Sequence, residues 1–474
     1  MRALPVAVLA AAALLAAAPA AASAGQNAAR LVAVTAPPPE HHADPALKTY
    51  VFRFGPHRIG PYQVARGTDV VRPPPVDGAV VGMDTRLVTS AGAPIPQWEL
   101  MLHHIVYSDG GPDRRRHDGA CPGRPSFERF FGTSEEQRAL TLPRGYGYAI
   151  TARDNWRAGW MVMNHRADGR TALVEYRVTV DTSAAVRPVR PLWLSVLGCD
   201  RSPDPQFSVP GGGRPGSTDA RARSWRMPVT GRIVALGGHL HGGARRLEVA
   251  EPGCGGRTIF TARPTYATAD DPLYAVRPLL HEPDPKDISW TQSAAGWPVR
   301  AGTRLRVRAL YDAERAHMRV MGIAHVYLAP DASAGDPCGA PPAEAETLAA
   351  AVPGRPDPPA IGLTLARLGR DGLAHPFARP PGPIRRVRGD ARVRVEHYAF
   401  SAPNLSIERG RRITWRFGGG TRHDATLADG PDGFASPQGD GGATWSRRFR
   451  RPGAYRIYCS LHPVFMAQYV RVRP

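Results

Sequence analysis

Apolar residues come in short runs, broken by turn residues, along almost the whole chain. Lys48–Phe54, Ala79–Met83, Leu100–Tyr107, Trp160–His165, Ala172–Val180, Leu192–Val196, Ile233–Leu236, Leu305–Leu310 and Ile323–Leu328 are strand-length, often alternate apolar with polar, and are rich in Val, Tyr and Trp. Alternation of that kind turns one set of side chains to a core and the other to solvent. Helical spacing is scarce; Phe127–Leu140 predicts one short helical turn or loop. An all-β region over 48–330 is large for one sandwich, so two consecutive antiparallel β-sandwiches of jelly-roll type are expected, at 48–185 and 186–330. The division falls where Ala184-Ala185-Val186-Arg187-Pro188 follows a strand. Over 331–388 Ala, Pro and Gly dominate, which predicts an interdomain linker carrying a short helix at Ala343–Val352. The β pattern resumes in Val393–Glu396, Arg412–Phe417, Trp445–Phe449, Ala454–Cys459 and Gln468–Val472, predicting a third sandwich over 389–474.

Composition sharpens this outline. The 50 Gly and 49 Pro among 474 residues favour turns over long helices. Residues 1–24 have the form of a secretory signal: Arg2, an apolar Ala7–Ala18 core and a small-residue Ala22-Ser23-Ala24 cleavage site. Residues 25–47, rich in Ala and Pro, read as a flexible tether. No other run is apolar enough to span a bilayer, so an exported protein is expected, secreted, periplasmic or at the cell surface. Export permits disulfides. Cys121, Cys199, Cys254 and Cys338 allow three pairings; the sequence does not choose among them, and pairing within each half, 121 with 199 and 254 with 338, is the preference. The net charge of +20 is almost all arginine, with Lys48 and Lys286 the only lysines. The basic residues are scattered, which argues against a nucleic-acid partner. Neither a nucleophile-elbow serine nor a phosphate-cradling Gly loop is present.

The fifth cysteine keeps different company. Tyr458-Cys459-Ser460-Leu461-His462-Pro463-Val464-Phe465-Met466, with His423 upstream, offers a thiolate, two imidazoles and a thioether, the donor set of a blue-copper site. Residues 389–474, with Phe400-Ser401-Ala402-Pro403-Asn404, Ile407, Gly410, Pro452-Gly453-Ala454-Tyr455 and the Cys-x-x-His loop, resemble the plastocyanin-like cupredoxins. The resemblance implies His423, Cys459 and His462 as the trigonal ligands and Met466 as the axial one. The four-residue step from His462 to Met466 departs from the three or five that are familiar there.

Earlier in the chain stand His103-His104, His165, and Gly237-Gly238-His239-Leu240-His241-Gly242-Gly243. Neighbouring histidines on a strand point to opposite faces, so His103 and His104 reach one ion only at a bend or bulge. His239 and His241 share a face and can grip one ion together. Met318 and Met321 offer a thioether. The order His-His, His, His-x-His, Met, together with Leu142-Pro143-Arg144-Gly145-Tyr146-Gly147-Tyr148, resembles the copper type II, ascorbate-dependent monooxygenases, the peptidylglycine α-hydroxylating and dopamine β-hydroxylating enzymes, over 48–330. The resemblance implies an electron-transfer copper on His103, His104 and His165. It implies a catalytic, oxygen-binding copper on His239, His241 and Met321. About three coppers per chain follow, with ascorbate or another reductant as electron source and a small-molecule or polymer substrate. Where the peptidylglycine enzymes carry an Arg and a Tyr this chain has Gly237 and His325, so a glycine-extended peptide is not implied. The alternative is a non-catalytic extracytoplasmic copper-binding or electron-transfer protein. His41-His42, His117, His281, His317, His375 and His397 show no partner pattern.

Overall fold

The structure, a computed structural model, describes residues 29–38, 46–121, 127–199, 205–348, 350, 353–363 and 365–474. The expected signal segment, part of the expected tether and His41-His42 lie outside these residues. The described chain is almost wholly β, in three sandwiches.

Alternation writes the strands. In Ala391–Glu396 the even-numbered Arg392 and Arg394 face solvent while Ala391, Val393 and Val395 are buried, and Arg304–Asp312 begins the same way. The first sandwich sets a seven-stranded sheet, built around Leu47–Ile59, Arg170–Asp181 and Gly78–Val88, on a four-stranded one ordered Val64–Val71, Trp156–Met163, Met101–Asp109, Glu128–Ser134. Between them stack Phe52 and Tyr176, ring centroids 4.9 Å apart. The second has a five-stranded sheet ordered Arg190–Ser195, Gly322–Pro330, Gly231–Leu240, Trp290–Val299, Glu346–Leu348, facing a four-stranded one centred on Arg304–Asp312 and Ala244–Glu251. The third joins a five-stranded sheet, including Thr426–Asp429, Gly453–Tyr458 and Ala467–Arg473, to a four-stranded one around Arg412–Phe417, whose Trp415 is fully buried.

Three expectations change. Residues 30–35 are not tether: Arg30–Thr35 pairs antiparallel with Leu47–Ile59. Phe127–Leu140 is half strand, Glu128–Ser134, whose Phe130 and Phe131 are both buried; only 135–139 is the turn and loop expected. Within 331–388, Glu346–Leu348 is an edge strand on Trp290–Val299, where a helix was expected at Ala343–Val352. Ten residues are too few for a stable isolated helix, and an open sheet edge supplies partners to their backbone. That linker also contains the short pair Ala366–Leu368 and Ala374–Pro376. The disulfides are Cys121–Cys199 and Cys254–Cys338, the preferred pairing. No helix among the described residues is long and apolar enough to cross a membrane.

The first two sandwiches share a core. Val234, Ala235, Trp290, Tyr327 and Ala329 of the second pack into the apolar cluster of the first. The Tyr327 hydroxyl donates to the Phe130 carbonyl at 2.8 Å and Trp290 Nε1 donates to the Thr141 carbonyl at 3.0 Å. The third sandwich is pinned by Arg319, which reaches Asp424 at 3.1 Å and donates to the Ser436 carbonyl at 2.9 Å. Gly237 is where the Trp290 ring presses hardest: a Cβ there would stand 2.4 Å from the ring. We expect Gly237→Ala to lower unfolding stability by about 1–3 kcal/mol, read as a drop in the urea midpoint; an unchanged midpoint would show that the Trp290 contact is loose.

Candidate metal centres

The C-terminal site is built on one loop between two paired strands. Gly453–Tyr458 delivers Cys459, and Ala467–Arg473 begins just after Met466. The loop is closed on itself: Cys459 N–H donates to the Met466 carbonyl at 3.3 Å, and the amides of Phe465 and Met466 both donate to the His462 carbonyl at 3.1 Å. His423 arrives from a separate segment. The Asp424 carboxylate beside it accepts the Ser460 amide at 2.9 Å and the Ser460 hydroxyl at 2.6 Å, so the two ligand-bearing segments are tied side by side. The donor atoms of His423, Cys459 and His462 all lie within 4.8 Å of one another. Cys459 Sγ is 3.5 Å from His462 Nδ1. Met466 is buried in the same apolar cluster as Cys459.

Burial first, and Asp424 next, push the Cys459 thiol above its usual range, so a metal must displace a proton to bind there. Burial and His423 bring His462 down to about 4, leaving it a neutral imidazole at neutral pH. Both His423 nitrogens are buried without a hydrogen-bond partner. Orphaned imidazole nitrogens beside a buried thiol fit a soft or borderline metal such as copper.

In the N-terminal region every expected ligand histidine gathers at the seam between the first two sandwiches. The strand Met101–Asp109 slips register against Trp156–Met163 between Leu102 and His104, so a bulge does occur at His103. The two rings stand 5.3 Å apart, centroid to centroid, tilted by 53°. His103 lines a cavity of ≈ 390 Å³ with His241 and His281, whereas His104 lines a second, of ≈ 680 Å³, with His239, Met321 and His325. His165 turns its ring to His281, centroids 5.9 Å apart. Of the expected trio, His103 and His104 thus line different cavities, and His165 lines neither.

His239 and His241 meet as expected, with their Nε2 atoms 3.1 Å apart. Each ring is anchored from behind by a buried carboxylate: His239 Nδ1 lies 3.2 Å from Glu136 and His241 Nδ1 lies 3.1 Å from Asp284. A carboxylate on Nδ1 fixes the tautomer that offers Nε2 to a metal. Two metal–nitrogen bonds of ~2.0–2.1 Å at a tetrahedral angle separate the nitrogens by about 3.3 Å, close to what is found. Tyr311 holds Met321 to this pair: its hydroxyl accepts the His241 amide at 3.0 Å and donates to the Met321 carbonyl. The glycines around the pair answer to packing. Gly243 takes φ +78° and faces the His317 ring at 2.2 Å from where a Cβ would be.

Burial, with neighbouring imidazoles second, lowers His165 and His241 to about 3, and burial and His239 do the same for His325. These are neutral imidazoles, the form that binds metals. His281 is the opposite case. Burial alone would lower it, but Glu135, 2.9 Å away, raises it to about 9.

Sequence reasoning set His281 aside and did not single out Glu135, Glu136, Asp284 or Met101. His281 and Asp284 lie in irregular backbone between Pro272–Ala275 and Asp287–Ile288, where no periodicity marks them. Glu135-Glu136 carried one signal, two acids directly after an apolar strand. His325, noted only as a departure from the family, packs tilted against Trp193 at 4.3 Å and lies parallel to His239 at 6.5 Å. It is also the cross-strand partner of Gly237, the other departure.

No family model and no curated protein matches this chain. Among solved structures it is similar to a purple cupredoxin from Nitrosopumilus maritimus, at 28% identity over 18% of this chain and 100% of that one, TM-score 0.17. It is also similar to an oxidised amicyanin mutant, at 23% identity over 18% of this chain and 83% of that one, TM-score 0.17. A reduced amicyanin mutant matches at 25% identity over the same shares, TM-score 0.17.

Glu136→Ala should weaken copper binding at the His239–His241 pair by roughly 10–100-fold, measured by chelator competition, while the visible absorption of the Cys459 site stays as in the parent. Undiminished affinity would mean that Glu136 merely fills space.

Proposed function

We propose that the chain is an exported copper-dependent monooxygenase that hydroxylates a C–H bond with O2 and draws electrons through its C-terminal copper domain. One observation carries the reading. The Cys459 loop and the N-terminal histidines share a wall: the ≈ 390 Å³ cavity is lined by His103, His241 and His281 on one side and by Tyr458 and Ser460 on the other. Val464 of that loop packs in one apolar cluster with Leu279 and Leu280, and the Leu280 amide meets His165 Nδ1 at 3.2 Å. A short packed route therefore runs from the loop to the buried histidines.

Bound copper would supply the one-electron steps and the activation of O2. The chain's own residues do the rest. His423, Cys459, His462 and Met466 hold the electron-carrying site inside a rigid sandwich. The aromatic Tyr398, half exposed, crosses the His462 ring at 4.7 Å, and the exposed Phe465 lies beside it, giving a reductant such as ascorbate an apolar face to approach. His239 and Met321 face the ≈ 680 Å³ cavity, and His241, whose Nε2 meets that of His239, closes the oxygen-binding set from the ≈ 390 Å³ side. That volume suits a small organic molecule or one unit of a polymer. Trp160, Trp193 and Phe127 line it and exclude water, while Arg157, stacked over Phe127 at 4.5 Å, offers a positive charge to a polar substituent. The two disulfides support export. The non-catalytic alternative is favoured by Gly237 and His325, which leave the wall beside His239 without the polar anchors of the resembled enzymes.

The full chain, copper-loaded and given ascorbate and a panel of small aromatic and aliphatic compounds, should place one atom of labelled dioxygen in product. Cys459→Ser should abolish the blue absorption and slow reductant-driven O2 consumption at least about 10-fold, because its electrons no longer have a carrier. Reversible copper redox without O2 consumption in the parent chain would decide for the electron-transfer protein.

A further inference from the structure

Beside the expected ligand trio, donor atoms of three kinds converge. His281 Nε2 stands 2.9 Å from Glu135 Oε1 and 3.0 Å from Met101 Sδ. His103 Nδ1 stands 3.1 Å from the same Glu135 oxygen. The His103, Glu135 and His281 donor atoms all fall within 4.8 Å of one another. His165 faces His281, and its Nε2, in a residue 2% exposed, has no hydrogen-bond partner. His281 is fixed from behind, its Nδ1 against the Glu282 carbonyl, which turns Nε2 into the cluster.

A buried ion pair accounts for His281 and Glu135. It accounts neither for a thioether sulfur pressed on the same imidazole nitrogen nor for the orphaned nitrogen of His165. A single ion accounts for all of them. Ligands of one tetrahedral metal lie about 3.3 Å apart, near the separations here. Imidazole with thioether suits copper, Cu(I) in particular, and one buried carboxylate balances a single positive charge. We propose that a copper ion is held here by His103, His165 and His281, with Met101 as thioether donor and Glu135 as counter-charge, so that His281 takes the place in the nitrogen set that the sequence resemblance gave to His104. His104 is left to the substrate-sized cavity. The assignment rests on the copper reading of the N-terminal domains and does not need the oxygen chemistry.

The test uses the full chain loaded with copper alone, read by copper per chain and by the paramagnetic resonance of the non-blue Cu(II). The parent should bind three. His165→Gln should lose one non-blue signal, and His281→Gln should lose that same signal and fall from three coppers to two with its blue absorption intact. His104→Gln should keep that signal. Met101→Leu should keep the copper but bind Cu(I) at least about 10-fold more weakly, since a soft donor is gone. Three coppers in His281→Gln with the His165-dependent signal unchanged, or loss of that signal in His104→Gln alone, would overturn the assignment while leaving the copper reading in place. A parent chain with only the blue copper would overturn both. If His281→Gln shows no blue band and so has not folded, Met101→Leu decides: unchanged Cu(I) affinity rejects the site.

Discussion

Three carboxylates with almost no access to water, Glu135, Glu136 and Asp284, set the terms for the first two domains. An ionised acid away from solvent must find positive charge or donors. These find them across the seam between the sandwiches. Glu135 leaves the first sandwich and accepts the Asp284 amide of the second at 3.2 Å, while meeting His103 of its own domain and His281 of the other. Glu136 crosses to His239. Burial pushes Glu135 upward, yet His281 and His103 outweigh it and hold the acid well below its ordinary range. The same contacts that make these acids tolerable in the interior also aim the imidazoles. Domain packing and ligand orientation are one problem here, and a loosened seam would misplace both histidine sets at once.

That coupling explains which parts of the site can be read in the sequence. The C-terminal ligands are legible because three of the four lie in one eight-residue loop, where spacing dictates geometry. His239 and His241 are legible because period two puts them on one side of a strand. His103 and His104 are legible as candidates only. The bulge that could unite them is present and their rings stand 5.3 Å apart, but each ring also lines a different cavity, which the sequence does not encode. His281, Met101, Glu135 and Asp284 come together through tertiary packing between segments up to 183 residues apart in sequence, counted from Met101 to Asp284, and no local pattern encodes that.

The fold shows the same division. Interior strands, such as Arg170–Asp181 and Gly322–Pro330, are written in their apolar runs and emerge where expected. Edge strands are not. Glu346–Leu348 has no fully buried residue and owes its form to the open side of Trp290–Val299, joined by the Thr291 and Thr347 hydroxyls at 3.0 Å. Arg30–Thr35 is likewise an outer strand with mostly exposed side chains, so it reads as tether until its partner is known.

The third sandwich meets the others through a position that is itself constrained. Arg319 adopts φ +58°, a left-handed conformation that a non-glycine residue holds only when its surroundings demand it. The turn sends its guanidinium into the C-terminal domain, to Asp424 and the Ser436 carbonyl, two residues before Met321. Asp424 in turn holds Ser460, next to Cys459. One chain of polar contacts thus links the backbone two residues before Met321 to the Cys459 loop. A domain meant only to be tethered would need no such strained contact. The C-terminal domain is therefore held against the other two by packing and by these contacts, and not by its linker alone.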